Sequence, residues 1–485
     1  MTTMTAESEA SPPRSAHRYR WLVLAVILVA DVMDLVDATV LNLAIPSIQT
    51  DLHISGSSAQ WLLAAYTMTF AIGLVTSARI GDVLGRRELF LIGMAGFTVV
   101  SLACALAPGA GWLIALRALQ GLFGAVMIPQ GLALVKAAFP PEELAKAFVP
   151  FGPIMGLSAV LGPILAGFLL DANLFGSQWR SIFFINVPIG IAAFVMAARA
   201  LPRIERQPGA RLDIGGMALL TVASTMLIYP LVQGREAGWP WWAYALIAGS
   251  LVLFGAFAIS ERRSRHPVIE PSLFANRGFV VGLCVLAAFF SAMTGFMLAF
   301  NLHLQGGLHF SPLHAGLTLV PWALGTSLGA VAGGVYLAER LGRASLHLGL
   351  AIATAGMVGL WWTVEHFGAD LTSWQLVPAT LVIGFGLGQV FVPLFGFVLG
   401  DLDDRQVGTG SGLLNAVQQF FGAIGVAALG TLFFQRLPAH GFVDTTGLVI
   451  AASAVLFVIT FGLVFALPRT ARGGSGGSGG EGVAQ

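Results

Sequence analysis

The sequence predicts an all-α polytopic membrane protein, and three features carry that prediction. Hydrophobic residues fill 56% of its 485 positions and charged residues only 10%, with a mean hydropathy of +0.82; a soluble domain carries about 25% charged residues. The apolar residues fall in runs of about 20, the length at which a helix crosses a hydrocarbon layer of ~30 Å. Short charged breaks separate these runs, and the breaks alternate between Arg-rich and Arg-poor.

In order, the runs predict fourteen helices, over residues 21–45, 58–78, 88–107, 111–135, 147–171, 181–200, 214–233, 239–260, 278–302, 312–337, 345–364, 374–399, 409–433 and 445–468. The polar stretch 1–20 has no short apolar core followed by a cleavage site, so it reads as a cytoplasmic tail before an uncleaved first helix. On alternate sides, 21 Lys and Arg share the side of that tail. Only Arg180, Arg235 and Arg436 lie opposite, and Arg117 falls inside the fourth run. Basic loops stay in the cytoplasm, so both termini are expected there.

A repeat sets the domain plan. Asp82-x-x-Gly85-Arg86 after the second helix returns as Glu339-x-x-Gly342-Arg343 after the tenth. Residues 21–200 then form one six-helix bundle and 278–468 a second. Residues 201–277 are a linker with two inserted helices, and the Gly/Ser-rich stretch 469–485 is a disordered tail. Two six-helix halves related about the membrane normal are the plan of transporters that rock around a midplane site.

The first helix carries the chemistry. Asp31, Asp34 and Asp37 lie inside it, although a charge at the bilayer centre costs ~2.5–3.5 kcal/mol. At 100° per residue they occupy about a third of the helix circumference, and Asn42 extends the stripe. This face is expected to look into a polar interior. Burial and like charge favour a neutral acid, and a neighbouring cation favours the ion. An Asp37–Arg117 pair that forms and breaks during rocking would therefore bind and release a proton, with Thr39 and Asn42 placed to hydrogen-bond the neutral form of Asp37.

Several short motifs recur along the chain. They are Ala78-x-Ile80-Gly81-Asp82-x-x-Gly85-Arg86-Arg87 after helix 2, Arg117-x-x-Gln120-Gly121-x-x-Gly124 in helix 4, and Gly156 through Gly162-Pro163-x-x-Ala166-Gly167 in helix 5. Helix 1 reads Asp37-x-Thr39-x-x-Asn42-x-Ala44-x-Pro46, and Trp179-Arg180 precedes Phe184-x-Asn186-x-Pro188-x-Gly190. With these fragments in this order, the chain resembles the major facilitator superfamily, and within it the fourteen-helix drug/proton antiporters of the QacA/EmrB type. Ala78, Val83 and Ala166 depart from the usual Gly, Arg and Gly, and Gln418-Gln419 stands where that branch often has Arg-Gln. Coupling is therefore expected in the first half.

The resemblance implies export of amphipathic or cationic drugs in exchange for protons, by a functional monomer in a bacterial cell membrane. A dedicated metabolite exporter or importer is the alternative on the same scaffold, and a non-transporting membrane sensor the alternative from another class. The resemblance covers Asp37 and Arg117 as the proton-coupling pair, to which the polar stripe adds Asp34 and Asp31, and it implies an antiporter motif at Gly156, Gly162, Pro163 and Gly167. Asp82, Gly85, Arg86 and Arg87 form a latch against the start of helix 13 near Gly408 and Thr409, with Asp401, Asp403 and Asp404 as partners for Arg86 or Arg87. Substrate contacts are expected among Tyr66, Asn301, Trp322, Gln389, Asn415 and Gln418.

No cofactor beyond the proton gradient, no metal and no nucleic acid are expected. Neither Lys136 nor Lys146 follows a Gly, so the usual phosphate-binding loop is missing and no enzymatic reading finds support. Cys104 and Cys284 stand singly in apolar runs and read as packing residues, and His303, His309 and His314 as interfacial residues at the outer end of helix 9.

Overall fold

A computed structural model of the chain describes residues 18–140, 143, 147, 162, 164–173, 176–203, 213–234, 236–264, 271–399, 402 and 404–468. Among them no strand forms. The helices are α1 (Arg20–Leu52), α2 (Gly56–Leu84), α3 (Arg86–Ala105), α4 (Ala110–Ala138), α5 (164–172), α6 (Gln178–Ala200), α7 (Ile214–Gln233), α8 (Trp241–Arg263), α9 (Arg277–Leu302), α10 (Pro312–Gly334), α11 (Ala344–Phe367) and α12 (Ser373–Leu399). The run Asp404–Val464 breaks where Gly441 takes φ 72°, and its limbs are α13 and α14. Ten stretches among the described residues are long and apolar enough to cross a membrane.

Several helices outrun the apolar runs that predict them. α1 continues past residue 45 to Leu52 with Pro46 inside it, and α2 opens at Gly56 with Ser55 as N-cap, its side chain accepting from Ser58 N. The hydropathy pattern marks where a helix meets hydrocarbon, whereas a polar stretch such as Ser47–Asp51 keeps its backbone bonds satisfied in helix beyond it.

Small residues set the distances between helices. On the α10–α12 contact, a Cβ on Gly388 would lie 1.9 Å from Thr326 O and one on Gly329 2.0 Å from Phe385 O. Glycine removes bulk at such backbone contacts, so Gly384, Gly386 and Gly388 are packing glycines of α12. Gly388→Ala is expected to destabilise the protein by ~1–3 kcal/mol, because the clashing atom is backbone. Thermal unfolding in detergent checks this, and an unchanged melting temperature would contradict it.

The two ends of the bundle are tied separately. At the end holding Arg20, that residue pairs with Glu143 at 2.9 Å, and Arg87 donates to Ala198 O (2.6 Å) and Leu201 O (3.1 Å) at the end of α6. Arg343 does the same for α14, donating to Phe465 O and Leu467 O at 2.6 Å each. Cations at C-terminal carbonyls complement the helix dipole. Gly85 (φ 101°) turns the chain before Arg86-Arg87 and Gly342 (φ 53°) before Arg343, the bonding arginine standing two residues after the first glycine and one after the second.

At the opposite end, Asp51 accepts from Trp179 Nε1 (2.9 Å) and Arg180 Nη1 (2.7 Å). The indole hydrogen bond and the guanidinium hold this carboxyl below the usual carboxylate range. The two bundles meet here. Gln305 Nε2 donates to Leu43 O (2.9 Å), Ser311 Oγ to Asp171 Oδ2 (2.8 Å), and Gln60 Nε2 to Ala427 O (3.4 Å) and Thr431 Oγ1 (3.5 Å). α7 lies over the α2–α13 seam, where Thr431 Oγ1 donates to Leu231 O at 2.7 Å and Ala64, Ile228, Val232 and Ala427 pack together.

Candidate functional site

The site grows from the polar stripe of α1. Asp37 is buried and accepts from Arg117 on α4 through Oδ2, while Oδ1 accepts from Asn186 Nδ2 (2.9 Å, α6) and Gln120 Nε2 (3.1 Å, α4). Arg117 also donates to Gln120 Oε1 (2.8 Å), and Asn186 and Gln120 both reach Ser101 Oγ on α3, at 3.0 and 3.3 Å. A lone ion in this position would be costly, and a pair is tolerable only when its remaining polar atoms are satisfied. Residues of α3, α4 and α6 supply these partners, and Arg117 Nε is left without a hydrogen bond among the described residues.

Tyr66 on α2 closes the network. Its hydroxyl donates a short hydrogen bond to Asp34 Oδ1, and the Arg117 guanidinium sits 4.2 Å from the centre of its ring. The motif glycines of α4 make this geometry possible: a Cβ on Gly121 would lie 2.3 Å from Tyr66 O, and one on Gly124 2.9 Å from Asp34 Oδ1. Asp31 is half-buried one turn away, with no cation beside it among the described residues.

The structure thus brings Asp37, Arg117, Asp34 and Tyr66 together. Tyr66, expected as a substrate contact, is buried inside the charge network. Thr39 and Asn42, expected to serve Asp37, instead donate to carbonyls of their own helix, Leu35 O at 3.0 Å and Ala38 O at 3.4 Å. Gln120, Asn186 and Ser101 were not singled out as ligands of Asp37. The signal available for them is a polar residue in an apolar run, one turn from the arginine in the case of Gln120.

The other site residues lie apart. Gly162, just ahead of α5, packs against Thr39 of α1, its Cβ position 2.7 Å from Oγ1, and Gly167 of α5 packs against the backbone of Leu313 of α10, 2.5 Å from its Cα. Gly156, Pro163, Asp401 and Asp403 fall outside the described residues, as do the side chains of Asp82, Asp404, Gly408 and Thr409. Arg87 binds the end of α6. Trp322 stacks on Phe296 at 5.7 Å, Asn301 Nδ2 donates to Met297 O (2.9 Å), and Gln389 Nε2 to Ser345 O (3.2 Å), all three buried between helices. Gln418 is half-buried with Oε1 unpartnered, and Asn415 is exposed. His303 is buried in the π-turn His303–Gly307, not interfacial, whereas His314 bonds Ser373 Oγ at 2.6 Å.

A multi-pass helical bundle with an ion pair buried at mid-helix is the architecture of a membrane transporter. The chain belongs to the major facilitator superfamily, whose family model matches residues 27–426. It is 48% identical to the probable actinorhodin transporter of Streptomyces coelicolor, over 88% of this chain and 74% of that one. The puromycin resistance protein pur8 of Streptomyces alboniger is 35% identical, over 85% and 82% of the two chains. The tetracenomycin C resistance and export protein of Streptomyces glaucescens is 30% identical, over 88% and 79%. Among solved structures, an auto-inhibited peptide transporter of the POT family superposes with TM-score 0.64 at 16% identity, covering 91% of this chain and 96% of that one. The human organic anion transporter MFSD10 superposes with TM-score 0.58 at 15% identity, covering 92% and 99%. These two likenesses concern the fold.

Proposed function

We propose that the protein exports amphipathic or cationic small molecules of the antibiotic class from a bacterial cell in exchange for protons, as a monomer with fourteen membrane crossings and both termini in the cytoplasm. The observation that carries this reading is the buried Asp37–Arg117 pair, with Asp31 and Asp34 on the same stretch of α1. Named exporters and resistance proteins among the relatives support the direction and the substrate class.

Proton exchange follows from partner exchange. While Arg117 holds Asp37, all the carboxylate's donors are in place and a proton has no vacancy. A shift of α1 against α4 within the first bundle, coupled to rocking of the halves, parts the pair, and the bared carboxylate takes a proton from the side then open. Return of Arg117 expels it, and bound drug competes for the same carboxylate-lined space. A 100 mV potential supplies ~2.3 kcal/mol per charge, against ~1.4 kcal/mol for a tenfold drug gradient. Asp82, with Gly85, Arg86 and Arg87, serves as the cytoplasmic latch in this reading, and Gly156, Gly162, Pro163 and Gly167 let α5 bend. The two bundles are 21–200 and 278–468, with the inserted pair between them.

Proton-linked transport of dyes and antibiotics in proteoliposomes tests the function; drug movement indifferent to an imposed pH gradient would remove the exchange. The topology has its own check. A cysteine at Ser264 should label only from the cytoplasm and one at Ala237 only from outside, and the reverse pattern would sink the fourteen-crossing arrangement.

A further inference from the structure

Tyr66 is the buried titratable group that the exchange scheme leaves without a task, and its position is specific. It belongs to α2, yet its side chain lies between the two acid sites of α1. The hydroxyl donates to Asp34 Oδ1, and the opposite chemical feature of the same ring, its electron-rich face, lies 4.2 Å from the Arg117 guanidinium that holds Asp37. The guanidinium needs this face, since Arg117 Nε has no hydrogen-bond partner among the described residues. A cation over a desolvated aromatic ring is worth ~2 kcal/mol. The backbone beneath the ring is held to α4 by Gly121 against the Tyr66 carbonyl and by Thr69 Oγ1 donating to Ala118 O at 2.6 Å, while the ring itself stacks on Phe70 at 5.9 Å.

We infer that Tyr66 is a positioning residue that transmits the charge state of Asp34 to the Arg117–Asp37 pair. This rests on the proton-exchange reading above. With Asp34 ionised, its Oδ1 anchors the phenol and the ring stays under Arg117, which keeps Asp37 paired. When Asp34 takes up a proton, its carboxyl becomes a donor in its own right and the anchoring of the phenol changes. The ring then turns, Arg117 loses its platform, and the Asp37 pair is released. Tyr66 stays neutral throughout and carries no proton. The charged and titratable groups facing it are Asp34 and Asp37 from α1 and Arg117 from α4, with Cys104 of α3 behind Gln120 at 3.8 Å. Asp34 and Asp37, three residues apart on the stripe, thereby act as one unit.

Infrared difference spectroscopy of the solubilised full chain with ring-labelled tyrosine tests this directly, because the chain has only five tyrosines. The band assigned to Tyr66 is the one absent from Tyr66→Phe. It is expected to shift between the acid and alkaline ends of the pH range in which the protein stays folded, and to lose that shift in Asp34→Asn, where an isosteric acceptor remains but no titration occurs. A Tyr66 band that ignores pH, or that still moves in Asp34→Asn, overturns the inference.

Transport separates this from the reading beneath it. In proteoliposomes Tyr66→Phe should lower drug accumulation driven by a pH gradient by about tenfold, the equivalent of one buried hydrogen bond, while drug–drug exchange without a gradient falls less. Tyr66→Phe accumulating drug like the parent protein overturns the relay alone. Parent protein that accumulates no drug on a pH gradient overturns the antiport reading, and the infrared result then decides whether Tyr66 senses Asp34.

Discussion

Arg117→Ala is expected to abolish drug accumulation and to destabilise the protein by ~3–5 kcal/mol, the cost of leaving one partner of a buried pair uncompensated. The structure says why the loss is not local. Arg117 is the only cation described beside Asp37, it bonds Gln120 Oε1 at 2.8 Å, and it covers the ring of Tyr66. Its removal therefore undoes contacts on α1, α2 and α4 together. Arg117→Lys retains the charge but not the planar fork that serves Asp37 and Gln120 at once, so it should fold more stably than Arg117→Ala and transport weakly. The measurements are unfolding temperature in detergent and uptake into proteoliposomes. Arg117→Ala protein that is as stable and as active as the parent would remove the pair from the mechanism.

The second large effect comes from the end of the bundle holding Asp51. A Cβ on Gly430 would lie 2.3 Å from Gln60 Nε2, so α2 and α13 come within cross-linking reach there. Oxidation of the double variant Gln60→Cys, Gly430→Cys should fix this end shut and arrest transport, and a reductant should restore it. Neither single cysteine should respond to the oxidant. The two other ties between bundles at this end, Gln305 to Leu43 and Ser311 to Asp171, place the seal there, and the proposed rocking requires that it open. Full transport by the cross-linked protein would mean that α2 and α13 do not separate during the cycle.

Much of this was legible before any coordinates. A lone arginine in an apolar run must meet a carboxylate within reach, and among the first six predicted helices only helix 1 offers carboxylates near mid-membrane, so the approach of α1 to α4 follows from composition and helix length. Which carboxylate it meets follows less directly. Asp34 and Asp37 lie on one face, and a small rotation of α1 would exchange them. The rotation is fixed by Gly121 and Gly124, whose missing side chains admit Tyr66 and Asp34. That is a property of packing between three helices and has no one-dimensional signature. Tyr66 shows the same limit, since a tyrosine in an apolar helix reads alike whether it faces a cavity or a buried ion pair. Trp322, Asn301 and Gln389 read as substrate contacts on polarity or size alone, yet Trp322 stacks on Phe296 of α9, Gln389 bonds Ser345 O of α11, and Asn301 bonds Met297 O of its own helix.

The helix ends were the other miss. Apolar runs end where hydrocarbon ends, while α1 continues to Leu52 and carries Asp51 to Trp179 and Arg180. His303 reads as interfacial because it clusters with His309 and His314 at the outer end of helix 9. The π-turn that follows α9 tucks it into the core instead.

The central claim is that drug and proton compete through the Asp37–Arg117 pair, and its most direct test needs no membrane. Solubilised protein in weakly buffered solution is mixed with a drug it transports, and the pH change is recorded for the parent, Asp34→Asn and Asp37→Asn. The account predicts proton release from the parent on drug binding and none from Asp37→Asn, with binding itself surviving in that variant. Proton release undiminished in Asp37→Asn would contradict it; release lost only in Asp34→Asn would move the exchanging carboxylate one turn along α1.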